Sequence, residues 1–177
     1  MGVGKTRGEG GHRGICVAMK RFRSVFGFVL WVALSFGAGA IGSVFTQRAI
    51  PDWYMTLAKP SFTPPSAVFG PVWSLLYFLM GTAAWLVWKT DGSKLKSVGL
   101  ALFLTQLVFN AGWSILFFGL HLIGAAFAEI IALWALILAT TVVFWSVRSL
   151  AGWLMVPYLV WVSFAAVLNF SIWRLNI

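Results

Sequence analysis

The run from Leu122 to Val147, LIGAAFAEIIALWALILATTVVFWSV, holds a single ionisable side chain, Glu129. An α-helix rises 1.5 Å per residue, so about 20 apolar residues cross a bilayer core of roughly 30 Å. A soluble helix of this length would carry a polar stripe on one side, and this run has none. It therefore reads as a membrane-spanning helix, and lipid becomes the solvent against which the rest of the chain is interpreted.

Outward from this run, the same test finds four more. Ser24–Thr46, Ala67–Trp88, Ser97–Leu120 and Leu150–Trp173 contain no Lys, Arg, Asp or Glu. Each is long enough to span, and each is bounded by a charge, a proline or a glycine. The expected architecture is all-α: a single bundle of five transmembrane helices at about 24–46, 67–88, 97–120, 122–147 and 150–173. Residues 1–23 are expected to form a disordered basic tail, residues 24–177 the membrane domain, and residues 47–66 a long loop. A start at Met19 would make Lys20, Arg21 and Arg23 the charged flank of a signal sequence, with Ala38-Gly39-Ala40 as its cleavage site. The apolar stretch continues past that site to Phe45, which favours a retained first helix.

Composition agrees. The chain is 60% hydrophobic and 10% charged, with eleven Trp and sixteen Phe, whereas soluble domains are about a quarter charged. Cys16 is the only cysteine, which excludes an intramolecular disulfide and a multi-cysteine metal site. The net charge of +9 does not point to nucleic acid, because the basic residues sit in the N-terminal tail and in short loops between apolar runs. With five crossings, the tail, the 89–96 loop and Arg148 share one face, which carries ten of the thirteen Lys and Arg; Arg48, Lys59 and Arg174 lie on the other. In a bacterial inner membrane the positive-inside rule then places the N-terminus in the cytoplasm, and the 47–66 loop and the C-terminus outside.

Position along each span gives depth. Asn110 falls near mid-bilayer, Trp113 nearer the face of the long loop, and Glu129 about two turns in from that face. Asn169 is about one turn deep and Trp161 near the middle. Polar and aromatic side chains thus gather in the half of the bundle beneath the loop, as in a pocket with a lid. A carboxylate within a span costs about 3 kcal/mol and faces a cavity or a partner. Glu129 therefore either serves a site or lies close enough to the interface to reach water, Lys59 or Arg174. Asn110 and Asn169 either join helices by hydrogen bonds or meet a ligand.

The loop reads Trp53-Tyr54…Leu57…Lys59-Pro60…Phe62…Pro64-Pro65. Its prolines fix φ and extend the residues before them, presenting Trp53, Tyr54 and Phe62 from a stiff frame. Small residues recur at four-residue spacing, Ser35, Gly39 and Ser43 with Ala38 and Gly42 on the first helix, and Ser97, Ala101 and Thr105 on the third. Such rows let helices approach closely, within a protomer or across a dimer. The residues offer no catalytic centre: His12 lies in the tail, His121 in a tight turn, and there is no nucleophile motif, metal cluster or phosphate-binding glycine loop.

These motifs together resemble the TspO/MBR, or translocator protein, family. The resemblance rests on the loop signature, on Val68-Phe69-Gly70-Pro71-Val72-Trp73, and on Gln106…Asn110…Trp113. It extends through Phe117-Phe118-Gly119, Pro157-Tyr158-Leu159…Trp161 and Leu168-Asn169-Phe170…Trp173-Arg174. It implies a five-helix homodimer in lipid, with a cavity closed by the first loop. It also implies planar hydrophobic ligands, protoporphyrin IX and haem among them, with sterols a further class and no obligatory cofactor. Roles implied are sensing or transport, with light-dependent porphyrin oxidation assisted by Trp161 and Trp113 as the enzyme-like alternative. Trp113, Trp161, Ala165 and Leu168 match the family's pocket positions, and Asn110 and Glu129 its polar ones. Three residues depart from the animal pattern: Phe62 and Ala125 stand where those members carry Trp, and Phe170 stands where the sterol motif carries Tyr.

Overall fold

A computed structural model describes residues 9–177, with side chains from Met19 onward. Among the described residues five helices are long and apolar enough to cross a membrane. They are α1 (Glu9–Ala49), α2 (Ser66–Trp88), α3 (Lys96–Ser114), α4 (Ile123–Val147) and α5 (Ser149–Leu175). Packing closes them into a ring in the order α1, α2, α5, α4, α3 and back to α1. The N-terminal half of α1 meets the C-terminal end of α2, where the Arg23 guanidinium lies 5.5 Å from the Trp88 ring and Trp85 Nε1 donates to the Ser24 carbonyl.

Two boundaries differ from the sequence expectation. α1 begins within the segment read as a disordered tail; Lys20, Arg21 and Arg23 are good helix formers and no proline interrupts this stretch. Residues 1–8 lie outside the described residues. At its other end α1 runs on through a π-turn, Ile50–Tyr54, so the irregular part of the loop shrinks to residues 57–65. Pro51 looks like a helix breaker in sequence. It sits instead where the α-helix widens into the π-turn, so the place of the missing N–H coincides with the change of helical register. A second π-turn, Ile115–Gly119, ends α3. The tight connection to α4 is made at His121, whose φ of 58° is left-handed. Arg148, in extended conformation, separates α4 from α5.

The end of the bundle away from the lid is closely filled. Met80, Ala83, Val87, Phe103, Ile137, Phe144 and Met155 are wholly buried. Phe103 stacks on Phe144 at 5.9 Å and meets the edge of Trp31. Glycine permits the closest approach: a Cβ on Gly81 would come within 2.7 Å of the Val32 backbone of α1. In lipid, where apolar surface gains little by leaving solvent, such contact is what holds helices together.

Candidate functional site

Toward the lid the ring opens into a cavity of about 470 Å³. α1 lines it with small side chains, Gly39, Ala40, Gly42 and Ser43, and α2 with Phe69, Trp73 and Tyr77. The row of small residues on α1 thus works inside the protomer. Ser35 is wholly buried, and a Cβ on Gly39 would overlap the Tyr77 ring at 2.2 Å. By contrast Ser97, Ala101 and Thr105 on α3 are exposed.

The end of the cavity nearest the filled half is closed by a chain of hydrogen bonds. Tyr77 Oη donates to Asn110 Oδ1 (2.8 Å), Asn110 Nδ2 donates to Tyr158 Oη (3.0 Å), and Tyr158 Oη donates to Gln106 Oε1 (3.0 Å). These bonds join α2, α3 and α5. Asn169 forms a second junction: its Oδ1 accepts from Trp113 Nε1 (3.0 Å) and its Nδ2 donates to the Ile123 carbonyl (3.1 Å). Both asparagines line the cavity, yet both amides are committed to the protein, as buried polar groups in an apolar medium must be.

The aromatic wall is braced as well. Trp113 stacks on Phe117 at 5.2 Å, Phe118 stands edge-on to both, and Tyr54 tilts against Phe118 at 5.7 Å. Opposite, Trp161 meets Phe69 edge to face at 5.9 Å and Phe164 at 5.6 Å. Offset and edge-on contacts of this kind hold rings in place.

Of the residues singled out in sequence, Tyr54, Asn110, Trp113, Trp161, Ala165, Leu168 and Asn169 come together around the cavity. Three do not line it. Trp53 stacks on His121 at 4.1 Å and touches Phe117, fastening the end of α1 to the α3–α4 turn. Phe62 is half exposed on the lid, edge-on to Phe164. Glu129 reaches neither Lys59 nor Arg174: both carboxylate oxygens are buried without a hydrogen-bond partner, and Oε1 lies against α3, 3.8 Å from where a Cβ of Gly112 would stand. Ala125 also lies apart, bordering a separate shallow hollow with His121 and Trp173. Phe69, Trp73 and Tyr77 were missed as site residues, although their spacing of four marks one face of α2.

The lid is tied across the cavity. Asn176, just past α5, accepts from the Ala58 N–H (3.0 Å) and donates to the Ala58 carbonyl (2.9 Å), as a neighbouring strand would. Lys59 follows, its ammonium 4.6 Å from the Tyr54 ring centre.

Fold and site together define a class: an integral membrane protein of five helices enclosing an aromatic cavity, a membrane receptor or sensor. The TspO/MBR family model matches residues 31–174. Tryptophan-rich protein TspO of Chlorobaculum tepidum is 42% identical over 155 residues, covering 87% of this chain and 98% of that protein. Protein CrtK of Rhodobacter capsulatus is 43% identical over 140 residues, covering 78% and 86%. The translocator protein of Homo sapiens is 40% identical over 138 residues, covering 77% and 82%. The chain belongs to the TspO/MBR family.

Proposed function

We propose that the protein binds porphyrins, such as protoporphyrin IX or haem, in the cavity between α1, α2, α3 and α5, and that it acts as a receptor or transporter for them. The observation that carries this reading is the cavity's chemistry. At about 470 Å³ it falls within the range of small-molecule sites. Its lining is mostly aromatic and aliphatic, interspersed with Ser, Thr, Gln and Asn side chains, and carries no charged side chain among the described residues. A flat macrocycle gains from stacking on fixed rings and from burying area, and loses little because the wall is already ordered.

Protoporphyrin IX titrated into the purified protein in neutral detergent is expected to quench tryptophan fluorescence saturably, at one site per chain. A linear, unsaturable response would refute the reading. Illumination of the complex distinguishes binding from photo-oxidation: a receptor returns the porphyrin intact, whereas a catalyst consumes it faster than free porphyrin in the same light.

The membrane orientation proposed is N-terminus in, C-terminus out, resting on the basic residues gathered at the end opposite the lid. A phosphatase fused after Ile177 should then be active in the periplasm of a bacterial host. A fluorescent cytoplasmic fusion at that terminus would reverse the assignment.

A further inference from the structure

At the end of the bundle away from the lid, two cations are fixed in place where α1 meets α2. They lie over Trp85 and Trp88, indoles whose spacing of three puts them on one face of α2. Trp88 is seated so closely on α1 that a Cβ on Gly27 would run into its ring. Trp85 is held by its Nε1 bond to the Ser24 carbonyl (2.9 Å) and by Phe28, edge-on at 5.3 Å.

The Lys89 ammonium rests 4.2 Å from the centre of the Trp85 ring, and the Arg23 guanidinium 5.5 Å from that of Trp88. Indole is the best of the aromatic partners for a cation. The rings thus localise two charges that free side chains would spread over many rotamers. Among the described residues neither cation has a carboxylate in contact with it. Asp91, the one acid of the adjoining 89–96 loop, is exposed and shares that loop with Lys89, Lys94 and Lys96. Lys20 and Arg21, also exposed, add positive charge just before Arg23.

Below Arg23 the surface of α1 turns apolar. Phe26, Leu30 and Leu34 follow at helical spacing on the same side, and all three are exposed. A pair of cations above an apolar track has the outline of a lipid, with phosphate at the top and acyl chains along the helix.

We infer that Arg23 and Lys89 form a binding site for the phosphate of an anionic phospholipid, whose chains run along Phe26, Leu30 and Leu34. The site lies apart from the aromatic cavity and does not depend on what that cavity holds. Arg23 offers a planar fork of donors to phosphate oxygens, and Lys89 adds a point charge. Two positive charges suit a headgroup whose phosphate is not neutralised by an ammonium of its own. The hydrocarbon beside them strengthens both contacts relative to open water.

The test uses the full chain in neutral detergent and native mass spectrometry of its folded, monodisperse fraction. The probes are phosphatidylglycerol and phosphatidylcholine of the same chain length. The parent should hold phosphatidylglycerol about tenfold more tightly, the scale of one to two interfacial charges. Arg23→Gln with Lys89→Gln should abolish this preference. Lys94→Gln with Lys96→Gln removes the same charge from the neighbouring loop and should leave it intact. Arg23→Lys with Lys89→Arg keeps both charges and should retain most of it, which separates loss of charge from loss of fold. Glycerol 3-phosphate carries the anion without the chains and should not displace the lipid at equal concentration. Displacement would make the ligand a soluble phosphate and overturn the inference. So would equal binding of the two lipids by the parent, or a preference that survives in Arg23→Gln with Lys89→Gln. An equal loss in both glutamine pairs would spread the preference over the whole basic end and overturn it as well.

Discussion

The two halves of this bundle use the same kinds of residue to opposite effect. At the end marked by Lys89 and Arg148, rings and aliphatic chains pack closely on one another and on glycine: Phe103 on Phe144, and Gly81 on the α1 backbone. At the lid end there are more rings, not fewer, yet about 470 Å³ is left open. The difference lies in what each ring leans on. Phe103 leans on a neighbouring helix. Trp113 is held by Asn169 and by Phe117 of the π-turn that ends its own helix, and Trp161 by Phe69 and Phe164, so none can swing inward to fill the hollow. Both π-turns lie in this half, where a change of helical register re-aims side chains. A cavity in a membrane bundle survives because its walls are braced, and small residues alone would let the helices close.

The sharpest way to break the comparison is to damage each half separately. Phe103→Ala should lower stability by about 3 kcal/mol through the void it leaves, read as thermal or denaturant unfolding in detergent. Porphyrin affinity of the folded fraction should hardly change. A selective loss of affinity would mean that the filled half is part of the site.

Trp161→Ala should do the reverse, removing a stacking surface and costing roughly 1–3 kcal/mol of porphyrin affinity, by analogy with other ring-on-aromatic contacts. Ala165→Leu, one turn further along α5, should weaken binding by occupying the cavity while the melting temperature holds. Unchanged affinity in both variants would move the binding site away from this wall.

The smallest effect is expected at the lid. Replacing Pro60, Pro64 and Pro65 together by Ala frees backbone that must be ordered again on closure. Asn176→Ala removes the two bonds to Ala58, each worth about 1 kcal/mol or less at an exposed position. Both changes should appear as a several-fold faster porphyrin release in stopped flow, with the association rate nearly constant. Equal release rates would show that the strap serves the fold alone.

The five helices, their approximate limits and the end at which polar chemistry gathers were legible in the sequence. Each follows from a one-dimensional quantity: the length of an uncharged run, or the distance of Asn110, Trp113 or Asn169 from its end. What the sequence by itself could not decide were questions of partner. The small rows on α1 and α3 look alike as strings. Only packing shows that Gly39 receives the Tyr77 ring within the protomer, while Ser97, Ala101 and Thr105 remain exposed. Trp53 and Tyr54 are adjacent, yet one stacks on His121 outside the cavity and the other lines it, because consecutive residues on a helical turn point in different directions around its axis. The chain Tyr77–Asn110–Tyr158–Gln106 draws on three helices, and no spacing along one helix encodes a bond to another. Sequence fixes which residues share a face; the ring order of the helices decides what each face meets.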